Sequence, residues 1–217
     1  MSIHKTYAVF GLGRYGQAVA RELAACGADV LAVDSDESVV DRVARDIPFC
    51  KCADITNADV LRQLGIADVD VVIIAMANSL EASVMAITLC KEAGVKNVIV
   101  KCGSEMHRKI FTRVGADQVV FPESESGTRL AKNLLSSGFV DMIELSQDVS
   151  MVELDVLPAW QGKNLIELNL RKKYGVNVVA ARINGQVRVN VDPTMALTSD
   201  MALIVIANTS KLEKLHK

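Results

Sequence analysis

The chain of 217 residues has room for one large domain, or for one domain with a smaller companion. Half of its residues are hydrophobic, and 24 basic against 26 acidic side chains leave a net charge of −2 with no basic stripe, which argues against direct nucleic-acid binding. Its most apolar run, Val71 to Ala77, falls far short of the roughly 20 residues that a membrane span needs.

No apolar leader with a small-residue cleavage site opens the chain, so a cytoplasmic protein is expected. The five cysteines form no C-x-x-C pair and lie among apolar segments, which reads as reduced, structural thiols. The three histidines are scattered without ligand spacing.

Taken in chain order, the first apolar run predicts a strand over 6–10. The turn Gly11-Leu12-Gly13-Arg14-Tyr15-Gly16 follows it directly and opens an amphipathic helix over 14–26. A second strand over 29–34 ends in Asp34, 18 residues beyond Gly16. A glycine turn alone is a weak signal, but strand, turn, helix, strand and terminal acid in this order form a dinucleotide-binding fingerprint. Gly11 permits the tight turn, Gly13 lets backbone approach a pyrophosphate, and Gly16 lets the helix pack closely on the strand. The helix N-terminus offers free N–H groups and a favourable dipole to phosphates, while Asp34 is placed to accept from ribose hydroxyls.

Helices over 36–46, 57–65, 79–93, 104–114 and 125–137 then alternate with strands over 49–53, 70–76, 97–102 and 118–121. Ser35 or Asp36 can cap the second helix, and Gly27, Gly65, Gly94, Gly115 and Gly138 each stand where a helix should stop. Six strands with intervening helices predict an α/β fold, a Rossmann-like doubly wound parallel sheet. The rhythm changes after residue 138. The stretch 139–150 holds no glycine or proline and reads as a connector. A strand over 151–157, a helix over 164–173, strands over 176–183, 186–191 and 201–207, and a short closing helix follow. Asn184-Gly185 between two alternating runs is a strong hairpin signal. This second unit is a small α+β lobe, too small for a typical substrate domain.

In a doubly wound sheet ligands lie outside the carboxyl ends of the strands, so the residues there carry the function. Arg14, inside the glycine turn, suits negative charge beyond a simple pyrophosphate, such as a terminal phosphate, and reads alternatively as a solvated surface arginine. Asp54, after Ala53, can meet an adenine amino group or cap the next helix. Ala75, Met76 and Ala77 are small or pliant enough to let a ligand pass close to the backbone. Lys101 points either into the crevice or to a solvated face. Glu123, after Pro122, can help hold a cation near phosphates or cap the following helix. Tyr15 and Ser35 complete the candidate cofactor set. No Ser/His/Asp or Cys/His group can be assembled, and the crevice supplies no obvious proton-transfer residue. The chain therefore reads as a nucleotide sensor.

The glycine turn, Ala32-Val33-Asp34, the segment Val114-Gly115-Ala116-Asp117-Gln118-Val119-Val120-Phe121-Pro122-Glu123, and Leu168-Asn169-Leu170-Arg171-Lys172-Lys173-Tyr174-Gly175 together carry a resemblance. The chain resembles the TrkA/KtrA family of RCK (regulator of potassium conductance) proteins, cytosolic regulatory subunits of bacterial potassium uptake systems, and within it the KtrA type. The resemblance implies an RCK N-terminal domain over 4–125, a crossover helix over 126–138 and an RCK C-terminal domain over 139–217. It implies ATP, ADP or NAD(H) in the first lobe, dimers assembled into octameric rings beneath a membrane potassium channel or transporter subunit, and gating by nucleotide exchange. On this resemblance Arg14 and Lys101 meet the terminal phosphates, Asp34 the ribose and Asp54 the adenine. Glu123 supports a divalent or monovalent cation at the dimer interface. Arg171 and Asn177 fall where cyclic di-AMP is contacted in several relatives.

Two other classes compete. A small NAD-dependent oxidoreductase would need a proton-transfer residue in the crevice and a larger substrate domain. An NADH-reading repressor would need a basic recognition helix, and the sequence shows none.

Overall fold

The computed structural model of the protein describes residues 5–76, 79–135, 139–146 and 148–212. The chain divides into two units, residues 1–124 and 125–217.

The first unit alternates strand and helix. Its elements are β1 (Thr6–Phe10), α1 (Arg14–Ala25), β2 (Asp29–Asp34), α2 (Glu37–Val43), β3 (Phe49–Cys52), α3 (Ala58–Gln63), β4 (Val71–Ile74), α4 (Leu80–Glu92), β5 (Asn97–Lys101), α5 (Glu105–Val114) and β6 (Gln118–Val120). α6 (Pro122–Leu135) leads on into the second unit. All six strands are parallel, in the order β3-β2-β1-β4-β5-β6.

Helices on both faces explain why the central strands are runs of apolar residues rather than alternations. β4 is buried at every position. Ala8, Phe10, Val33, Val72, Ile74, Val98 and Val100 pack on one face with Leu61, Ile87 and Phe111. Val9, Ala32, Val71 and Ile73 pack on the other with Ala20 and Val43. Each large apolar side chain removed from water in this way contributes about 1.5–3 kcal/mol.

Helix ends follow side-chain chemistry. Asp36, not Ser35, caps α2 by accepting from Ser38 N–H. α6 begins three residues before the expected 125, because Pro122 is preorganised for a first helical position. Gly138 lies outside the described residues.

The second unit is an antiparallel sheet of β7 (Phe139–Glu144), β8 (Val149–Asp155), β9 (Asn177–Ile183), β10 (Gln186–Arg188) and β11 (Ala202–Asn208), in the order β10-β9-β11-β8-β7. It carries the short helices α7 (Leu165–Leu168), α8 (Leu170–Tyr174) and α9 (Thr209–Leu212). Asn184 and Gly185, at φ 51° and 77°, form the two-residue hairpin turn that their sequence predicts.

Two expectations fail here. The connector over 139–150 is instead most of a hairpin, with β7 paired to β8. Its closing turn uses neither glycine nor proline; Leu145 N–H and Ser146 N–H donate to Val149 O at 2.9 and 3.1 Å. The single helix over 164–173 is two, because Asn169 adopts the left-handed conformation at φ 45°, which asparagine tolerates better than most residues.

The cysteines split as well. Cys90 and Cys102 are buried, and burial pushes the Cys90 thiol up to about 12. Cys26 and Cys52 are exposed, one at the end of α1 and the other on the edge strand β3, so the structural reading fails for them.

Two carboxylates fasten the amino ends of the strands. Asp70 accepts from Thr6 N–H at 2.9 Å and from its hydroxyl, tying the chain before β4 to β1. Asp117 accepts from Val98 N–H at 2.7 Å and from Lys91 Nζ at 2.9 Å, joining β6 to β5 and α4. The Thr6 donors hold the Asp70 carboxyl below the ordinary carboxylate range. Partial burial pushes the Asp117 carboxyl up, but Val98 N–H and Lys91 outweigh it and bring it below that range too.

A lowered folded pKa contributes stability that is fully present above the unfolded value. That stability is lost as the pH falls through the lowered folded value. The protein should therefore lose stability progressively below about pH 4. Asp117→Asn, which removes one titrating group, should flatten that loss in melting curves taken from pH 5 to pH 2.5. A mutant curve parallel to the parent's would contradict this role.

Candidate functional site

The strand order reverses at β1: β2 and β3 lie to one side of it and β4 to β6 to the other. At the carboxyl ends of these strands opens a cleft of about 950 Å³.

Its floor is the glycine turn. Gly11, at φ 85°, donates to Val33 O at 2.8 Å, and a side chain there would meet Met76. Gly13 is the N-cap of α1 with no side chain to occupy the helix end, and nothing stands within 4 Å of where its Cβ would be. Gly16 does not line the cleft. It is buried behind the turn, where a Cβ would come within 1.9 Å of Gly11 O. Gln17 Nε2 braces the turn by donating to Leu12 O at 2.7 Å.

Asp34, at the end of β2, has both oxygens engaged by backbone. Oδ2 accepts from Leu12 N–H at 2.6 Å and Oδ1 from Asp36 N–H at 2.9 Å. One carboxylate thus fixes the glycine turn and the β2–α2 loop together, and each oxygen keeps a lone-pair direction for a further donor. Sequence reasoning gave Asp34 only a ligand role and missed this structural one.

Beyond Ser35 and Ala53, the Asp54 carboxylate accepts from Thr56 N–H and from its hydroxyl at 2.9 and 2.7 Å, which holds its pKa below the ordinary range. The capping role left open for Asp54 belongs to Asn57, whose side chain accepts from Asp59 N–H. Ala75 and Met76 form the wall next to the turn, with Ala75 N–H donating to Phe10 O. Ala77 lies outside the described residues. Ser79 and Ala82, at the start of α4, also line the cleft. Ser79 caps that helix, and a serine before a helical run was the signal for it.

The basic end is more constrained than the sequence suggests. Lys101 lines the cleft, its side chain only 12% exposed, with Nζ 2.6 Å from Glu123 Oε1. The same ammonium lies 5.6 Å from the centre of the Tyr15 ring. Glu123 stands in the first turn of α6, 63% exposed. Its hydrogen bond from Lys101, its own backbone N–H and the nearby Arg14 charge hold its carboxyl below the ordinary range. Arg14 is exposed at the rim.

A cation site does not follow from one chain. Among the described residues no group of three or more His, Cys, Asp and Glu side chains is placed to hold a metal ion, and Glu123 already has Lys101 as counter-charge.

The site therefore brings together Gly11, Gly13, Arg14, Tyr15, Asp34, Ser35, Ala53, Asp54, Ala75, Met76, Lys101 and Glu123. Chemically it is polarised, with carboxylates at the β2 and β3 ends and cations at the α1 and β5 ends. Arg171, exposed on α8, and Asn177, at the start of β9, belong to the second unit.

Comparison with known proteins matches both units. Residues 7–122 match the TrkA-N domain and residues 149–217 the TrkA-C domain. The Ktr system potassium uptake protein C of Bacillus subtilis (strain 168) is 34% identical over 213 residues, 98% of this chain and 96% of that protein. The Ktr system potassium uptake protein A of the same organism is 31% identical over 211 residues, 97% of this chain and 95% of that protein. Among solved structures, the GsuK channel bound to NAD shares the fold with a TM-score of 0.65 at 18% identity. The match covers 99% of this chain but only 39% of that one, so the chain spans well under half of the channel polypeptide.

Proposed function

The chain belongs to the TrkA/KtrA family, and from that membership we propose that it is a cytosolic, nucleotide-binding regulatory subunit of a potassium uptake system. The observation that carries the reading is the polarised cleft. Asp34 stands at one end with two braced carboxylate oxygens, and Lys101 and Arg14 stand at the other with the open N-terminus of α1 between them. An adenine nucleotide fits this polarity, with ribose hydroxyls donating to Asp34, phosphates on the α1 N–H groups, and the terminal phosphate toward Arg14 and Lys101. NAD, with which the GsuK channel was solved, has the same adenosine half and is the second ligand to weigh.

Gating requires more than affinity. A ligand shifts a conformational equilibrium only by binding one state more tightly than the other. ATP and ADP differ by one phosphate, and the cationic end of the cleft is where that difference is felt. Among the described residues no helix is long and apolar enough to cross a membrane.

Self-assembly fits the surface. Leu130 and Leu134 of α6 are 60% and 76% exposed, and Met85 of α4 is exposed as well, which suits contacts between copies. The Leu135 side chain is outside the described set.

The test is potassium flux into vesicles that carry the membrane subunit together with this protein. ATP is expected to raise flux and ADP is not, with no turnover of ATP or oxidation of NADH in the same samples. Equal flux with ATP, with ADP and without nucleotide would refute the gating role, whatever the binding data say.

A further inference from the structure

We propose that Glu123 is a built-in competitor for Lys101, occupying the lysine until a phosphate group displaces it. The inference rests on the nucleotide reading above and specifies how the cationic end of that cleft is regulated.

Three features of the pair carry it. First, the contact is short, 2.6 Å between Nζ and Oε1, and it lies in the cleft wall. Second, the two partners are unequally fixed. Lys101 ends β5 with a side chain 12% exposed, its ammonium beside the Tyr15 ring, and is the more enclosed of the two. Glu123 is 63% exposed and the more open to water. When an anion competes, the carboxylate is the group that leaves. Third, Tyr15 belongs to the first turn of α1, so the ammonium beside its ring already stands next to the helix end where an anion is favoured.

Displacement has a mechanical consequence. Glu123 is in the first turn of α6, and its bond to Lys101 ties that turn to the end of β5. A phosphate that takes the lysine cuts this tie at the start of the helix that leads out of the first unit. Adenosine, which lacks a phosphate, leaves it intact.

The test is calorimetry on the full chain with ADP and with adenosine, in EDTA so that no divalent cation contributes. Glu123→Gln removes the competing charge and keeps the shape. It should tighten ADP about threefold to fivefold, the measure of a partly exposed ion pair, and leave adenosine unchanged. In a Lys101→Met background, Glu123→Gln should no longer tighten ADP. Glu123→Gln with unchanged or weaker ADP binding in EDTA would overturn the competition. So would a gain of equal size in the Lys101→Met background, which would reduce Glu123 to simple repulsion of the phosphate. A parent protein that binds neither ADP nor adenosine would remove the nucleotide reading and this inference with it. Binding of both, with no difference between parent and Glu123→Gln, would sink this inference alone.

Discussion

Gly16→Ala is expected to cost the first unit about 3 kcal/mol or more, a large share of a typical domain's stability. The added methyl would stand 1.9 Å from the carbonyl oxygen of Gly11 and 3.1 Å from the Ala75 methyl. A long side chain in that position could rotate away, but a backbone carbonyl cannot. Relief would require α1 to lift from β1 or the glycine turn to open, and the turn is pinned by Gly11 N–H on Val33 O and Leu12 N–H on Asp34. The cost is thus steric and backbone-borne, and independent of any ligand.

Gly13→Ala is the matched control. Gly13 has an ordinary φ of −65°, and its Cβ would meet nothing within 4 Å. Its stability should stay within about 0.5 kcal/mol of the parent. Nucleotide affinity should nonetheless collapse, because the methyl would occupy the space where backbone and pyrophosphate approach each other. The measurement is urea unfolding followed by far-UV circular dichroism, since the single tryptophan, Trp160, lies in the second unit and would report that unit instead. A parent-like midpoint for Gly16→Ala would show that the turn yields more easily than its hydrogen bonds imply.

The contrast between the two glycines shows how far a sequence can be read. The positions of the glycines in the turn, and the acid at the end of the second strand, follow from local rules of turn, helix and strand, and such rules act over a few residues. The parallel sheet was legible for the same reason. Its strands are short apolar runs separated by helices, and buried parallel strands need that composition. The second unit was less so. No glycine or proline marks the stretch that joins β7 to β8, and Asn169 breaks a helix where the apolar pattern runs on, so neither left a signal strong enough to override periodicity. Least legible were the bonds within the cleft. Lys101 and Glu123 come from the end of one strand and the start of a helix beyond another, and each had a plausible solvated or capping reading alone. Only the fold shows that they meet, and that one is largely enclosed while the other is exposed.

The second large effect is expected at Asp34. Asp34→Ala should weaken ATP, ADP and NADH together, by about tenfold to a hundredfold, because each loses hydrogen bonds from the ribose hydroxyls to a charged acceptor. The fold argues for a second loss in the same mutant. Leu12 is fully buried, and its N–H has Asp34 Oδ2 as partner at 2.6 Å. Removing that acceptor strands a buried donor, at about 1–3 kcal/mol. Asp34→Asn separates the two roles only in part, since its amide offers one oxygen to the two backbone donors and sets an NH2 group against the other.

NADP supplies the cleaner discrimination. A carboxylate held by two backbone N–H groups cannot swing aside for a 2′-phosphate, so the parent should bind NADH well and NADPH poorly. In Asp34→Ala the repulsion is gone, so NADPH should lose little while NADH loses much, and the gap between them should close. Calorimetry with all four nucleotides decides it. If parent and mutant bind each of them equally, Asp34 serves the glycine turn alone, and the ribose must be read elsewhere in the cleft.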